Sequence, residues 1–349
     1  MEKIFYKEGQ TLERIGNRFL ILLVVCFFIG AFIPSSQSTS FHKNPERIMG
    51  ADISFLPELE SRGMKFYNHG MPEDAIAILK EYGFNYIRLR IFNDPAADSG
   101  YSPHKGFCDL EHCKTMALRM KSAGMKFLLD FHYSDTWADP GKQYKPAAWK
   151  LLNFSELQQA VHEFTKNAIS ALKAQGTSPD MVQIGNEINH GIIWPDGSAR
   201  YPDSLAALLK AGISAVKEVD PSIKIMLHIA CGGQNAESRN FLDNMISRGV
   251  IFDLIGESYY PQWHGTLGQL DSNLRDLSGR YSQDIVVVEY SRHKKEVNDI
   301  VFNLPGGKGR GSFIWEPLNT WESVFERSGK MKDSLMDIYK ELSNTYQIR

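Results

Sequence analysis

Two glutamates stand at the ends of apolar runs in this chain of 349 residues. Met181-Val182-Gln183-Ile184-Gly185-Asn186 leads into Glu187, and Ile285-Val286-Val287-Val288 leads into Glu289. Runs rich in β-branched residues favour buried strands, and a carboxylate at such a tip carries a desolvation penalty that only a use for its charge justifies. Two carboxyls facing each other across a cleft are the minimum apparatus for cleaving a glycosidic bond. One protonates the leaving oxygen, and the other attacks the sugar carbon or activates water.

Short apolar runs alternate with amphipathic segments from about Arg47 onward. The runs Ile48–Ile53, Phe84–Phe92, Lys126–Phe131, Met181–Asn186, Ile223–Ile229, Phe252–Ser258, Asp284–Val288 and Ser312–Trp315 predict eight strands. Helices are expected over Pro72–Tyr82, Asp109–Ala123, Ser155–Gln175, Ser204–Val219 and Phe241–Arg248, four of them stopped by Gly83, Gly124, Gly176 and Gly249 and one by Asp220-Pro221. Eight strand–helix repeats imply parallel βαβ units closing into a single (β/α)₈ TIM barrel. The rival, an open doubly wound sheet, lacks the Gly-x-Gly-x-x-Gly turn that is its usual nucleotide-binding signature.

In such a barrel the site forms at the C-terminal strand tips. Those tips carry Asp52 and Ser54, Arg88 and Arg90, Asp130, His132 and Asp135, Asn186 and Glu187, His228, Ser258 with Tyr259 and Tyr260, Glu289, and Trp315 with Glu316. This polar, aromatic and acidic set suits a sugar site better than a packed core. Arg88 and Arg90 share a strand face by the period of two, so they either point into the barrel mouth or pair with Asp52 or Asp130. His132 and His228 read as site residues or as satisfied core histidines. Trp263 and Trp315 read as sugar platforms or as packing.

Competing chemistries fare worse. Lys126 and Lys224 lie at strand starts, the wrong end for a Schiff-base lysine. No His-x-His pair and no clustering of histidines across strands supports a catalytic metal, and no Gly-x-Ser-x-Gly elbow appears. No cofactor is expected. A net charge of −2 with no basic stripe argues against a nucleic-acid partner.

The N-terminus is a separate object. Phe19–Ile33 is apolar and free of charge, follows Lys3, Lys7, Arg14 and Arg18, and precedes a Pro-Ser-Ser-Gln-Ser-Thr-Ser stretch. Residues 1–40 therefore read as a signal peptide or N-terminal anchor with a short linker, and 41–349 as the catalytic domain. The chain is expected to be exported, with membrane attachment only if the segment stays uncleaved. Cys108, Cys113 and Cys231 then remain, too few to staple a fold; Cys108 and Cys113 are spaced for a local bridge or as helical neighbours.

Several longer motifs resemble glycoside hydrolase family 53, the endo-β-1,4-galactanases of the retaining (β/α)₈ glycosidase clan. They are Gly50-Ala-Asp-Ile-Ser54, Tyr86-Ile-Arg-Leu-Arg-Ile-Phe-Asn-Asp-Pro95, Leu129-Asp-Phe-His-Tyr-Ser-Asp-Thr-Trp-Ala-Asp-Pro140, Gln183-Ile-Gly-Asn-Glu-Ile-Asn189, Ser258-Tyr-Tyr-Pro-Gln-Trp-His264 and Phe313-Ile-Trp-Glu-Pro317. The Asn-Glu pair is a clan-level signal; the His-Tyr-Ser-Asp-Thr-Trp-Ala-Asp-Pro run is far more specific. The resemblance implies Glu187 as acid/base and Glu289 as nucleophile, about 5–5.5 Å apart as retention requires. It implies Asn186 on the sugar 2-hydroxyl, Arg88, His132 and Tyr260 orienting glutamates and sugar, and Trp315 flooring the cleavage subsite. Arg90, Asp135 and Trp263 complete the expected substrate-binding set, and the partner is a polysaccharide, β-1,4-galactan.

One segment departs from the family pattern. Glu289 is followed by Tyr290-Ser-Arg-His-Lys-Lys295, a basic helix and then Leu304-Pro305-Gly-Gly307, where relatives carry a tryptophan-proline-tyrosine stretch and some a calcium-binding loop. This puts the calcium site in doubt and removes an expected wall of the distant subsites. The rival readings are another retaining β-glycan hydrolase of the clan, such as a mannanase or an exo-acting β-galactosidase-like enzyme, and a non-catalytic glycan-binding barrel.

Overall fold

The computed structural model describes residues 46–348, so the expected leader lies outside the described residues. Eight parallel strands close into a barrel: β1 (Ile48–Asp52), β2 (Tyr86–Phe92), β3 (Lys126–His132), β4 (Met181–Ile184), β5 (Lys224–Ile229), β6 (Leu254–Tyr259), β7 (Asp284–Tyr290) and β8 (Gly309–Trp315). They pair in chain order around the ring, and β8 returns to β1 with Asp52 beside Trp315. Each expected strand is present, with no end displaced by more than three residues.

A helix follows each strand: α1 (Ala75–Glu81), α2 (Leu110–Ser122), α3 (Phe154–Ala174), α4 (Pro202–Val219), α5 (Asn235–Ser247), α6 (Leu267–Arg280), α7 (Lys294–Phe302) and α8 (Asp333–Tyr346). Asp74 starts α1 by accepting the amides of Ile76 and Ala77, so the helix expected from Pro72 begins later. Residues Met71–Glu73 instead pair with Phe66–Asn68 as a small hairpin. Asn153 and Glu156 form a reciprocal cap on α3, the longest outer helix.

Alternation along the strands divides the core in two. Ile87, Leu89, Phe127, Leu129, Ile225, Leu227, Ile255 and Ile285 face outward and pack under the helices. Ile48, Tyr86, Leu128, Met181, Met226, Leu254, Val286, Val288 and Phe313 fill the lower barrel interior. Gly50 belongs to this inner layer because a Cβ there would lie 2.1 Å from the Phe313 ring. With the lower interior filled by apolar side chains, inward residues nearer the C-terminal tips form the floor of a site. Cys108, Cys113 and Cys231 are free thiols, all buried; Cys113 lies in α2 and Cys108 in the preceding loop, so the local bridge is not formed.

Candidate active site

The floor of the barrel mouth is a charged network. Arg88 on β2 is 1% exposed and sends Nη1 to Asp52 Oδ2 and Nη2 to Asp130 Oδ2, each at 2.8 Å. Its Nη1 also lies 2.8 Å from Glu289 Oε1, and its Nη2 donates to Asn186 Oδ1 at 2.8 Å. One guanidinium thus ties together β1, β3, β7 and the tip of β4. Arg90, two residues on, lies 2.8 Å from Glu316 and 3.5 Å from Asp52. Its guanidinium sits 4.5 Å from the ring centres of both Phe55 and Trp137, which accounts for a buried Nε with no hydrogen-bond acceptor. Both alternatives for the arginines therefore hold together: they point inward, and they are ion-paired.

Glu289 reaches the mouth through an irregularity. Val286 and Val288 point inward, so strict alternation would turn Glu289 toward the helices. Between β6 and β7 the register shifts: Gly256 pairs with Val286 but Ser258 pairs with Glu289, so β7 holds one extra residue. This bulge re-aims the glutamate into the barrel. There it receives Arg88 on Oε1 and the Tyr260 hydroxyl on Oε2 at 3.1 Å. Burial raises its pKa, while the Arg88 charge and the Tyr260 hydrogen bond act in the opposite direction.

Glu187 lies beyond the tip of β4 in a left-handed conformation, φ 49°, after Gly185 at φ 86°. A Cβ on Gly185 would strike Ile188 at 2.6 Å, so this kink requires glycine. The carboxyl accepts a hydrogen bond from Ser258 Oγ at 2.7 Å on Oε1, and among the described residues no group hydrogen-bonds Oε2. Burial pushes its pKa up to about 8, with the nearby charge of Glu289 adding to the rise. The two carboxyls are treated differently: Glu289 is held by a cation and a phenol, Glu187 by one hydroxyl. A single proton on the pair therefore belongs on Glu187.

Most of the expected substrate set surrounds this pair. The cleft, about 600 Å³, is lined among others by Arg88, His132, Asn186, Tyr260, Trp263 and Trp315. His132 accepts the Ala138 amide on Nδ1 at 3.2 Å, which leaves Nε2–H to donate to Asp130 at 2.9 Å. Asn186 gives one amide hydrogen to the Ala138 carbonyl and keeps a second for a ligand. Trp263 is 64% exposed, its ring set 5.6 Å from that of Tyr260. Asp135 is the exception: its oxygens accept the amides of Asp94 at 3.0 Å and Ala147 at 2.8 Å, so it ties loops together beside the site.

Sequence reasoning left several contributors out of the site. Trp137 and Trp321 join Trp315 in an aromatic strip, with centroids 6.5 Å and 5.3 Å from it. Trp137 lies within the His-Tyr-Ser-Asp-Thr-Trp motif and was readable there. Gln183, one strand residue before the Gly-Asn-Glu kink, donates to Asp130 at 2.6 Å from inside the barrel, a position that the period of two signals. The basic segment after Glu289 brings Arg292 to 2.8 Å from Glu322, next to Trp321. Trp321, on the loop after β8, thus supplies cleft wall on the side where the sequence had suggested a loss. Among the described residues no group of three or more His, Cys, Asp or Glu is placed to hold a metal ion.

An eight-stranded parallel barrel with an acid and an ion-paired carboxylate at its fourth and seventh strand tips, and indoles beside them, defines a glycoside hydrolase of the (β/α)₈ type. Comparison with known proteins narrows the class. The model of glycosyl hydrolase family 53 matches residues 48–296, and the chain belongs to that family. It is 35% identical over 304 residues to an endo-β-1,4-galactanase of Bacillus subtilis, covering 86% of this chain and 68% of that protein. Among solved structures it is similar to an Ignisphaera aggregans GH53 catalytic domain, 36% identical with a TM-score of 0.80, covering 85% of this chain and 96% of that one. It is also similar to a fungal β-1,4-galactanase, 28% identical with a TM-score of 0.77, covering 84% and 98%.

Proposed function

We propose that this protein is an endo-β-1,4-galactanase that hydrolyses the β-1,4-galactan of type I arabinogalactan and pectin side chains with retention of configuration. The observation that carries the mechanism is the unequal support of the two carboxyls. Glu289, flanked by Arg88 and Tyr260, attacks the anomeric carbon as a carboxylate. Glu187, protonated near neutral pH, delivers its proton to the leaving glycosidic oxygen as that bond breaks. The galactosyl ester on Glu289 then meets a water whose proton passes to the Glu187 carboxylate, and the ester bond to Glu289 breaks.

The remaining residues hold the sugar. Asn186 takes the 2-hydroxyl with its free amide hydrogen, and His132 shapes the same wall. Trp315 and Trp137 present apolar faces to the pyranose rings, while Trp321 and Trp263 extend the cleft on either side of β7. The linkage follows from the named galactanase relatives and from the motifs shared with the family. Export accords with the charge-free run Phe19–Ile33 behind four basic residues.

Digestion of β-1,4-galactan beside mannan, xylan and β-1,3-galactan, with chromatographic separation of the products, tests this reading. Short galacto-oligosaccharides from β-1,4-galactan alone are expected. Galactose as sole product would make the enzyme exo-acting, products from mannan would make it a mannanase, and no product at all would favour a glycan-binding barrel.

A further inference from the structure

Behind Glu187 lies a hydrogen-bonded chain that the two-carboxylate chemistry does not by itself require. Ser258 and His228 are both 0% exposed. His228 Nε2 is 2.8 Å from Ser258 Oγ, and Ser258 Oγ is 2.7 Å from Glu187 Oε1.

The direction of this chain can be assigned. Gln183 has its amide orientation fixed, because Oε1 accepts from Arg88 Nε at 3.3 Å while Nε2 donates to Asp130 at 2.6 Å. That same Nε2 lies 2.9 Å from His228 Nδ1, and the backbone N–H of Glu187 reaches Nδ1 at 3.3 Å. Two N–H groups aimed at Nδ1 make it an acceptor, so the proton of the neutral ring is on Nε2. Asn186 Oδ1, also 3.0 Å from Nδ1, already accepts from Arg88 Nη2 at 2.8 Å. His228 therefore donates to Ser258, and Ser258 spends its own hydrogen on Glu187. The imidazole stays neutral, since burial and then the charge of Arg88 hold its pKa well below the usual histidine range.

We infer that Ser258, oriented by His228, is a positioning residue that holds Glu187 Oε1 against the barrel wall, leaves Oε2 as the oxygen that gives and takes the proton, and sustains the carboxylate in the second half of the reaction. The inference rests on the acid/base role proposed for Glu187. A hydroxyl that only donates favours the ionised acid, which is the form that must accept a proton from water when the galactosyl ester is hydrolysed. In the first half Glu187 can be protonated on Oε2 while Ser258 keeps its bond to Oε1. No proton leaves the serine or the histidine at any step.

The other charged or titratable groups acting on Glu187 are Glu289 on β7, Asp139 in the loop after β3, Arg88 on β2, Tyr260 after β6 and Cys231 after β5. His132 and His264 act on His228. Replacing Ser258 leaves all of them in place. In Ser258→Ala the basic limb of the pH profile of kcat/KM should move upward by about one pH unit, since a hydrogen bond to a charged group has been lost. Hydrolysis of the covalent intermediate should slow about tenfold, visible as a burst of aryl alcohol from an activated aryl β-1,4-galactobioside.

Glu187→Ala, measured in the same series, separates the two ideas. If that variant keeps the wild-type basic limb, the acid assignment is wrong. If it loses the limb while a folded Ser258→Ala shows neither shift nor burst, the positioning role alone is overturned. Ser258→Cys, which nearly keeps the volume and weakens the donor, should give an intermediate shift. It decides the matter where the alanine variant does not fold, and an unmoved limb there also contradicts the inference.

Discussion

Glu187 and Glu289 begin as the same residue type with the same ordinary pKa, and their surroundings set them apart: a cation and a phenol on Glu289, one hydroxyl on Glu187. With Glu187 as the proposed proton donor, kcat/KM on galactan should fall as pH rises past about 8. Glu187→Ala should remove that limb and cripple polymer hydrolysis, yet spare the first step on aryl galactosides whose leaving group needs no proton; equal losses on both substrates would contradict the acid role. Glu289→Gln should lower kcat on the order of 10⁴-fold or more while the protein stays folded, because Arg88 keeps Asp52 and Asp130 as partners. A kcat within tenfold of wild type would remove Glu289 from the mechanism. At this scale the sequence revealed which residues matter better than how they are aimed. Glu289 was legible as the end of an apolar run, but alternation alone points it outward; the β7 bulge that turns it inward is a register event between two strands. Asp135 sat in a specific motif, and only the fold shows that backbone amides consume both its oxygens.

The barrel strands were legible because each is an apolar run of the right length between turn signals. The helices were legible where the apolar stripe was clean, as in α3 and α4. In α6 the buried face mixes Leu270, Leu274 and Leu277 with Asn273 and Ser278, and it went unread. Asn273 is buried because it donates to the Gly232 carbonyl at 3.0 Å, a reason that periodicity does not carry. The same region holds Glu257, on the outward face of β6, which accepts from Ser238 at 2.8 Å and from the Cys231 amide at 3.2 Å. Burial pushes its pKa up to about 8. Its native-state pKa is thus above the unfolded value, and it is an acid, so the folded protein holds the extra proton between about pH 4.5 and 8. Stability is therefore lost as pH rises through that window, by up to several kcal/mol for this one group. The melting temperature of Glu257→Gln should decline less steeply from pH 5 to 8.5 than that of wild type; parallel curves would show that Glu257 is ionised in the fold.

Across the whole molecule, β1, β2 and β3 supply the charged floor, the tips of β4 and β7 the two carboxyls, β6 and the residue after it the hydroxyls that hold them, and the loops after β3, β6 and β8 the aromatic walls. The segment from Glu289 to β8, expected from the sequence to depart from the family pattern, is joined to the loop after β8 by the Arg292–Glu322 pair and carries a Lys295–Asp299 pair within α7, each 2.8 Å. With no group of three or more His, Cys, Asp or Glu placed to hold a metal among the described residues, chelation with EDTA should leave both activity and melting temperature unchanged. A drop of several degrees would reveal an ion site that the described residues do not present.

Glu289, among the carboxyls crowded at the barrel mouth, is the residue proposed to form the covalent bond to sugar. Asp52, Asp130 and Glu316 lie in the same network and offer chemically equivalent oxygens. Incubation with an activated 2-deoxy-2-fluoro-β-1,4-galactobioside, followed by proteolysis and mass spectrometry of the trapped enzyme, distinguishes them. One glycosyl group per chain is expected, on the peptide containing Glu289. A label on another carboxyl, or turnover of the substrate with no adduct formed, would contradict it.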